Sequence, residues 1–509
     1  MPANSLKRLV TDTAVYGLSN MVGRLLNYLL VPLYTRVLAP DQNGIATKLY
    51  AWVALLMVLY LYGMETAYFR FINKPNADQN KVYSTAFASL AGSSLLLSGI
   101  IIGFSPQIAE FLQVLPQYVI WLACIMAFDA LVALPFCRLR QEQKPLLFAS
   151  LKILNIALNI FLNIWLLTTW IPKPFHSEVS VSYIFLANLV ANGITLLIMA
   201  QYFPLKNFAF HPKLLRQMLV YALPLVLVGL LGMLNEMFSR IVYQNLAIIS
   251  QDAAQIQLGI FGNAIKISVF MSLFTQTFRM GAEPFFFKKA QDKNAPETYA
   301  KLMRVFVAMG SVFFVFVSVF LQNKGCCQSY SLGGFIIGTR FAAYYEGLKI
   351  VPILFLSYLL SGIYYNLSVW YRLQDRTHVG VYLAVVGALV TVAGNLLAIP
   401  KFGYVGAAWV SLVSSGVMVV LSYVFGQKTY PVPYPVWRIL AYIFGAVGVY
   451  FLQEKILLEA LVSKMYLLYA IKIAFVATYT LFVFRAEKKL FFAPKTEPIT
   501  GSVPDPNRL

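Results

Sequence analysis

Long apolar segments dominate this sequence and decide what it can fold into. Between breaks made by polar residues, Pro and Gly, the chain runs in mostly apolar stretches of roughly 17 to 30 residues. A helix rises 1.5 Å per residue and the hydrocarbon core of a bilayer is about 30 Å thick, so each stretch can cross a membrane once. Apolar residues make up 59% of the chain and charged residues only 12%, unlike a soluble domain. We therefore predict an all-α integral membrane protein.

About fourteen transmembrane helices are predicted. Their spans are 13–38, 45–71, 82–104, 118–137, 147–170, 181–203, 217–247, 258–287, 304–321, 348–371, 379–399, 403–426, 436–452 and 466–484. The first span is longer than the apolar core of a signal peptide and leads through Pro32 and Arg36 into the next one. We expect it to remain in the mature protein.

The positive charges predict the orientation of the chain. Most of the 40 Lys and Arg residues fall in alternate loops, on the side that also holds the N-terminus. Loops rich in Lys and Arg stay in the cytoplasm, so both termini are predicted to be cytoplasmic. The net charge of +20 then reflects membrane topology, and no nucleic-acid partner is expected.

The two halves of the chain carry matching features in the same order. Matching pairs are Thr35-Arg36 with Ser239-Arg240, Gly44-Ile45 with Gly259-Ile260, Glu65 with Glu283, and Arg70 with Lys288. Six spans in each half, both starting from the cytoplasm, predict two parallel lobes with a substrate site between them. We expect an N-terminal lobe (1–205), a C-terminal lobe (206–430), two extra spans (431–485) and a cytoplasmic tail (486–509).

Three segments carry a family resemblance. They are VYGLSNMVGRLLNYLLVPLYTRVLAPDQNGIATKLYAW with its closing GMETAYFRF, GIFGNAIKISVFMSLFTQTFRMGAEPFFF, and GNLLAIPKFGYVGAAWVSLVSS. Together they resemble the oligosaccharide flippase (Wzx-type, "polysaccharide biosynthesis protein") family, in the superfamily of the multidrug and toxin extruders and the lipid II flippase. The resemblance covers nearly the whole chain, and TRVLxPxxxG and GMExAxFR are its more specific parts.

The resemblance implies a fold, a substrate and partners. It implies a fourteen-helix, V-shaped transporter of the bacterial cytoplasmic (inner) membrane. The cargo would be an undecaprenyl-diphosphate-linked oligosaccharide, moved to the periplasmic leaflet for O-antigen, capsule or exopolysaccharide synthesis. Membrane lipid and polysaccharide polymerase or ligase proteins are the implied partners. Segment 322–345 departs from the pattern, and we expect it to have little functional weight.

Basic residues inside the spans are the candidate substrate-binding groups. A basic residue near the middle of a membrane helix costs about 2.5 to 3.5 kcal/mol, so several of them should face an internal cavity. The candidates are Arg24, Arg240, Lys266 and Arg279. Such cations suit a diphosphate, while in-span amides suit a glycan: Asn27, Asn155, Asn159, Asn163, Asn235, Gln276, Asn366 and Asn395.

Carboxylates inside the spans leave two interpretations open. Glu65, Asp129, Glu236 and Glu283 could couple transport to an ion, or could neutralise nearby cations. Glu236 and Glu283 lie four residues from Arg240 and Arg279, the spacing of helical ion pairs. Asp129 could instead be a partner of Arg24 or Lys152.

Catalysis is not expected. The three histidines, His176, His211 and His378, lie in loops without ligand-like neighbours, and there is no GxxxxGK[ST] loop. No cofactor or metal is predicted, and no loop is large enough for a catalytic domain. The alternatives that stay open are an ion-coupled multidrug exporter, a lipid II flippase, and a membrane glycan polymerase or ligase.

Overall fold

The protein is helical throughout the part of the chain that its structure describes. This computed structural model describes residues 26, 30–168, 180–204, 208–289, 294–321, 331–338, 340–374, 376–459 and 465–491, in which no strand occurs. The helices of the first half are α1 Val31–Val37, α2 Pro40–Leu61, α3 Met64–Ile72, α4 Gln79–Gly103, α5 Ser105–Leu112, α6 Pro116–Gln141, α7 Pro145–Thr168 and α8 Ser182–Met199. The predicted all-α fold is confirmed.

The second half continues in the same way. Its helices are α9 Pro212–Leu246, α10 Gln251–Lys289, α11 Ala295–Leu321, α12 Leu332–Ile337, α13 Val351–Leu367, α14 Val369–Leu373, α15 Thr377–Thr429, α16 Val436–Glu459 and α17 Met465–Phe491. Short 3-10 helices cover Ala200–Tyr202 and Ala342–Ile350.

Twelve helical segments of the described chain are long and apolar enough to cross a bilayer. One of them lies in α15 and corresponds to two predicted spans. The helix is interrupted between these two spans at Gly403, which has non-helical dihedral angles (φ 57°, ψ −141°). The predicted span 45–71 is divided into α2 and α3 at Tyr62 and Gly63, both with positive φ. The predicted first span falls mostly outside the described residues. The chain is a multi-pass membrane protein, and the number fourteen stays a prediction.

The two predicted lobes meet where α2 crosses α10. A side chain at Gly44 would overlap the carbonyl oxygen of Gln255, and one at Gly259 would overlap that of Pro40. Gly44 and Gly259 are a matched pair of the repeat, and Pro40 and Gln255 each lie four residues before them. The contact is therefore reciprocal, as it is across a two-fold axis. Only glycine lets the two backbones approach this closely.

Part of segment 322–345, which departs from the family pattern, lies near the crossing of α2 and α10. We call residues 331–338 and 340–350 the strap. It belongs to the second half of the chain, yet it binds the first: Thr35 Oγ1 donates to Ile336 O at 2.7 Å, and Tyr344 Oη donates to Leu38 O at 3.1 Å. Arg36 donates to Phe335 O at 2.8 Å and lies over its ring. The sequence did not indicate this position between the lobes.

The last two helices attach to the C-terminal lobe through a buried carboxylate. Glu487 of α17 is 1% exposed, pairs with Arg304 of α11, and accepts a 2.6 Å hydrogen bond from Tyr442 Oη of α16. The helix α17 reaches Phe491, past residue 486, where the cytoplasmic tail was predicted to begin. Because Glu487 is buried between helices, this stretch is part of the packed bundle.

The predicted orientation can be tested with single cysteines. Lys401 and Lys428 are both exposed, at opposite ends of the second span in α15. In a variant lacking the native cysteines, we expect Lys401→Cys to react with a membrane-impermeant maleimide on spheroplasts and Lys428→Cys to react only after permeabilisation. The opposite pattern would invert the topology.

The close crossing of α2 and α10 predicts a strong effect of side-chain size. Gly259→Val forces the two backbones apart, and we expect it to destabilise the protein by about 1 to 3 kcal/mol. The measurement is the midpoint of thermal unfolding in detergent. Gly99→Val is the matched control, since a side chain there meets nothing within 4 Å. Equal shifts in the two variants would contradict the role of this crossing.

Candidate functional site

A cavity of about 430 Å³ lies between the two halves of the chain. Helices α1, α2, α6, α7 and α8 form one wall, and α9 and α10 form the other. The first wall is rich in amides and tyrosines, while the second carries two basic side chains. Among the predicted site residues, the cavity brings together Arg240, Lys266 and Asp129.

Arg240 and Lys266 form a positive wall in the second half of the chain. They come from α9 and α10 and lie close enough to repel each other electrostatically. In the described part of the chain, neither is within 4.0 Å of a carboxylate oxygen. The Nε atom of Arg240 is buried without an acceptor, and Nη1 lies 3.1 Å from the sulfur of Met237. Both side chains line the cavity, and neither positive charge is neutralised by an ion pair in the described part of the chain.

Lys266 is held across the boundary between the lobes. Its Nζ donates to Asn43 Oδ1 at 2.9 Å and lies 5.4 Å from the centre of the Tyr34 ring. Asn43 is 1% exposed and donates its Nδ2 to Gly259 O at 2.9 Å, so the same side chain joins the positive wall to the glycine crossing. The ammonium is oriented by neutral groups, which leaves its charge available to a ligand.

The opposite wall carries an amide ladder on α7, consisting of Asn155, Asn159 and Asn163. A spacing of four residues places them on one helix face. Asn163 is fully buried, donates to Asn159 Oδ1 at 2.9 Å, and accepts from Tyr34 Oη at 2.9 Å. Asn155 donates to Thr195 Oγ1 at 2.8 Å. These bonds fix the amides in place at the edge of the cavity.

Asp129 of α6 lies within the amide wall. Its Oδ1 accepts from Asn192 at 2.9 Å, and Asn192 in turn accepts from Asn155 at 3.1 Å. Lys152 is within electrostatic range of Asp129, without a direct ion pair, and lies 4.1 Å from the centre of the Phe136 ring. Lys152, one of the two predicted partners of Asp129, is therefore its neighbour, while the other, Arg24, lies outside the described residues.

Two of the predicted site residues, Arg279 and Glu65, lie away from the cavity. Arg279 is thirteen residues, about 20 Å, along α10 from Lys266, in a small separate pocket where it lies 4.9 Å from the Tyr365 ring centre. Glu65 is within electrostatic range of two cations, Lys152 and Arg140.

Glu236 and Arg240 do not form the ion pair that their spacing suggested. Glu236 is exposed, and the structure, which describes both side chains, shows no ion pair between them. The Arg240 side chain instead lies against Met237, the residue that follows Glu236 on α9. Arg24 and the side chain of Glu283 lie outside the described residues, so their roles stay predictions.

Several residues of the site were missed from the sequence. Tyr34, Tyr50, Asn188 and Asn192 line the cavity, and Asn188 donates to Tyr50 Oη at 3.0 Å. Their spacing in α8, four residues apart like the amide ladder, could have identified the two asparagines. The tyrosines gave no such signal, because aromatic residues are also enriched at membrane interfaces.

Comparison with known proteins identifies the family of this chain. The family model for polysaccharide biosynthesis proteins matches residues 9–290, more than half of the chain. The chain belongs to the polysaccharide biosynthesis protein family. The family resemblance inferred from the sequence motifs is thereby confirmed. One relative by sequence is the capsular polysaccharide biosynthesis protein CapF of Staphylococcus aureus. It is 23% identical over 288 residues, which are 55% of this chain and 68% of the relative.

Solved structures show the same fold. The lipid II flippase MurJ in an inward closed conformation has a TM-score of 0.71 at 13% identity, over 94% of this chain and 99% of its own. An inward-facing multidrug resistance transporter of the MATE family has a TM-score of 0.58 at 14% identity, over 83% and 96% of the two chains. This member of the polysaccharide biosynthesis protein family thus has the fold of a flippase-type membrane transporter.

The bond between Tyr34 and Asn163 predicts an energetic coupling. Replacing Asn163 by Leu leaves the buried Tyr34 hydroxyl without its acceptor, a loss of about 1 to 3 kcal/mol. In a Tyr34→Phe background the same change should destabilise less, because no hydroxyl remains to be satisfied. Thermal unfolding of the two single variants and the double variant measures the coupling. Additive effects would show that this contact does not stabilise the cavity wall.

Proposed function

We propose that this protein is a flippase for a polyprenyl-diphosphate-linked oligosaccharide. It would carry the head group across the cytoplasmic membrane for the synthesis of O-antigen, capsule or exopolysaccharide. The proposal joins the family, whose members serve polysaccharide biosynthesis, to the chemistry of the cavity. The protein would act as a transporter by alternating access and not as an enzyme.

The observation that carries this proposal is the positive wall. Two like charges in one cavity raise each other's energy, and the neighbouring bilayer offers no water to relieve them. An anion placed between them removes that repulsion. A diphosphate meets both side chains well, because the guanidinium binds phosphate oxygens through two donors and the ammonium acts as a point charge.

The amide wall supports the glycan part of the substrate. Sugars present hydroxyl groups as both donors and acceptors, and asparagine and tyrosine side chains offer both functions. The cavity is lined by such groups from α1, α2, α7 and α8, facing the two cations. The head group would therefore bind with its diphosphate toward the C-terminal lobe and its sugars toward the N-terminal lobe. The polyprenyl tail would remain in the lipid between the lobes.

One observation favours a second candidate, an ion-coupled multidrug exporter. Asp129 places a carboxylate in the cavity, and the fold is shared with MATE transporters. An exporter of cationic drugs needs a negative cavity, whereas this one has two cations against one carboxylate among its described lining residues. The balance of charge supports the anionic substrate.

The test follows translocation in proteoliposomes. A fluorescent undecaprenyl-diphosphate sugar is incorporated, and its exposure to a membrane-impermeant quencher is measured over time. We expect Arg240→Met and Lys266→Met each to slow translocation roughly tenfold or more, the effect of losing one charged hydrogen bond to phosphate. Lys213→Met is the matched control: it removes an exposed charge from the start of α9, the helix that also holds Arg240.

Three outcomes separate the alternatives. Slow translocation in both cavity variants with a normal control supports the flippase. Normal translocation in all variants would exclude the positive wall as the diphosphate site. If the folded wild type moves none of several glycans, lipid II included, yet exports a cationic dye in an Asp129-dependent manner, the function is drug export.

A further inference from the structure

A third basic residue, outside the cavity lining, is buried at the boundary between the lobes. Lys48 of α2 is 3% exposed, although its position near the start of a predicted span suggested a loop charge. Its Nζ donates to the backbone oxygen of Leu112 and, at 2.6 Å, to Oε1 of Gln244. Within the described chain no carboxylate lies within 4.0 Å of this ammonium.

A buried ammonium that has only neutral acceptors is an expensive feature in a membrane protein. Two neutral oxygens replace only part of the hydration that the charge loses on burial. A glutamine or methionine would fill this space without that penalty. The charge therefore needs a reason other than stability of the closed structure.

The position of Lys48 relates it to the positive wall. Its acceptor Gln244 lies one helical turn beyond Arg240 on α9, about 6 Å further toward the predicted periplasmic side. Gln244 is itself oriented by a 3.1 Å hydrogen bond from its Nε2 to Gln113 Oε1. Lys48 thus lies beside α9 one helical turn beyond Arg240, on the predicted periplasmic side.

The contacts of Lys48 divide between the two lobes. Leu112 belongs to the same lobe as Lys48, whereas Gln244 belongs to the other. Alternating access requires the lobes to separate on this side, and separation removes Gln244 from the ammonium. Lys48 then keeps one backbone acceptor and faces the opened path with an unsatisfied charge.

We propose that Lys48 is the exit-side binding residue for the diphosphate, exchanging Gln244 for phosphate oxygens when the lobes open toward the periplasm. This inference rests on the proposed function and extends it. In the closed state Lys48 joins the lobes. In the open state it binds the anion that has left Arg240 and Lys266, and reclosure by Gln244 displaces the anion.

The test uses a cysteine beside Lys48 and does not depend on the glycan. In a variant lacking the four native cysteines, Gln244→Cys is labelled on spheroplasts by a membrane-impermeant maleimide, with and without inorganic pyrophosphate at constant ionic strength. We expect pyrophosphate to slow labelling roughly tenfold. The protection should persist with Lys48→Arg and be lost with Lys48→Met and with Lys48→Gln, which keeps a polar group. Lys401→Cys in the same background controls for direct effects on the reagent.

Each contrary result overturns the proposal. Equal protection in the Lys48→Met and Lys48→Gln variants would place the anion elsewhere, and absence of protection would show that no anion binds here. A cysteine at position 244 that never reacts, while the one at 401 does, would show that this site does not open outward.

Translocation provides an independent second measurement. Lys48→Gln should slow flipping of the lipid-linked sugar roughly tenfold, and Lys48→Arg should not. Faster flipping in Lys48→Gln would make Lys48 a closing contact only, against the proposal. If pyrophosphate protects Gln244→Cys when Lys48 is intact, but the wild-type protein flips no lipid-linked glycan, the anion site stands and the proposed function fails. If the wild-type protein flips the glycan but pyrophosphate does not protect Gln244→Cys, the proposed function stands and the anion site fails.

Discussion

The exclusion of water from the hydrocarbon core governs where this chain can keep its charges. A charged side chain inside a bilayer has to face protein or a cavity, since nothing in the lipid can replace its hydration. Two groups of described charges show how this constraint is met. Arg304 and Glu487 neutralise each other inside a helix bundle. Arg240, Lys266 and Lys48 instead gather at the boundary between the lobes and keep only neutral partners there.

That boundary exists because two glycines remove side chains from a helix crossing. The close approach of α2 and α10 brings Asn43 next to Gly259 O, and Asn43 then orients Lys266 toward the cavity. Packing between the lobes and placement of a candidate binding group therefore depend on the same few residues. A change that widens the crossing alters the site without touching it.

Much of the fold could be predicted from the sequence because one property determines it. Span length and hydrophobicity follow directly from bilayer thickness, and the repeat placed Gly44 and Gly259 in matching positions before the structure showed them in contact. The positions of Arg240, Lys266 and the asparagines of α7 within spans predicted residues that do line the cavity or its edge. Their roles in binding stay predictions.

The missed features share a different physical origin. Lys48 lies close to a predicted span end, where a lysine normally reaches water, and only the tertiary contact with Gln244 shows it to be buried. The spacing of Glu236 and Arg240 suggested an ion pair because sequence gives helical neighbours but not rotamers. Pairings across hundreds of residues, such as Thr35 with Ile336, leave no periodic signal.

For the proposed transporter, the strap has a consequence for the speed of the transport cycle. Its contacts with the first half of the chain are a few hydrogen bonds to backbone oxygens, and each such bond contributes about 1 kcal/mol. Loss of one changes a two-state equilibrium roughly fivefold. Strap residues such as Ile337, Tyr344 and Leu348 are buried in the main hydrophobic cluster, so only the exposed positions of the strap can vary without disturbing the bundle. In the proposed transporter, a substitution that removes one of these hydrogen bonds would change turnover and leave the residues of the cavity unchanged.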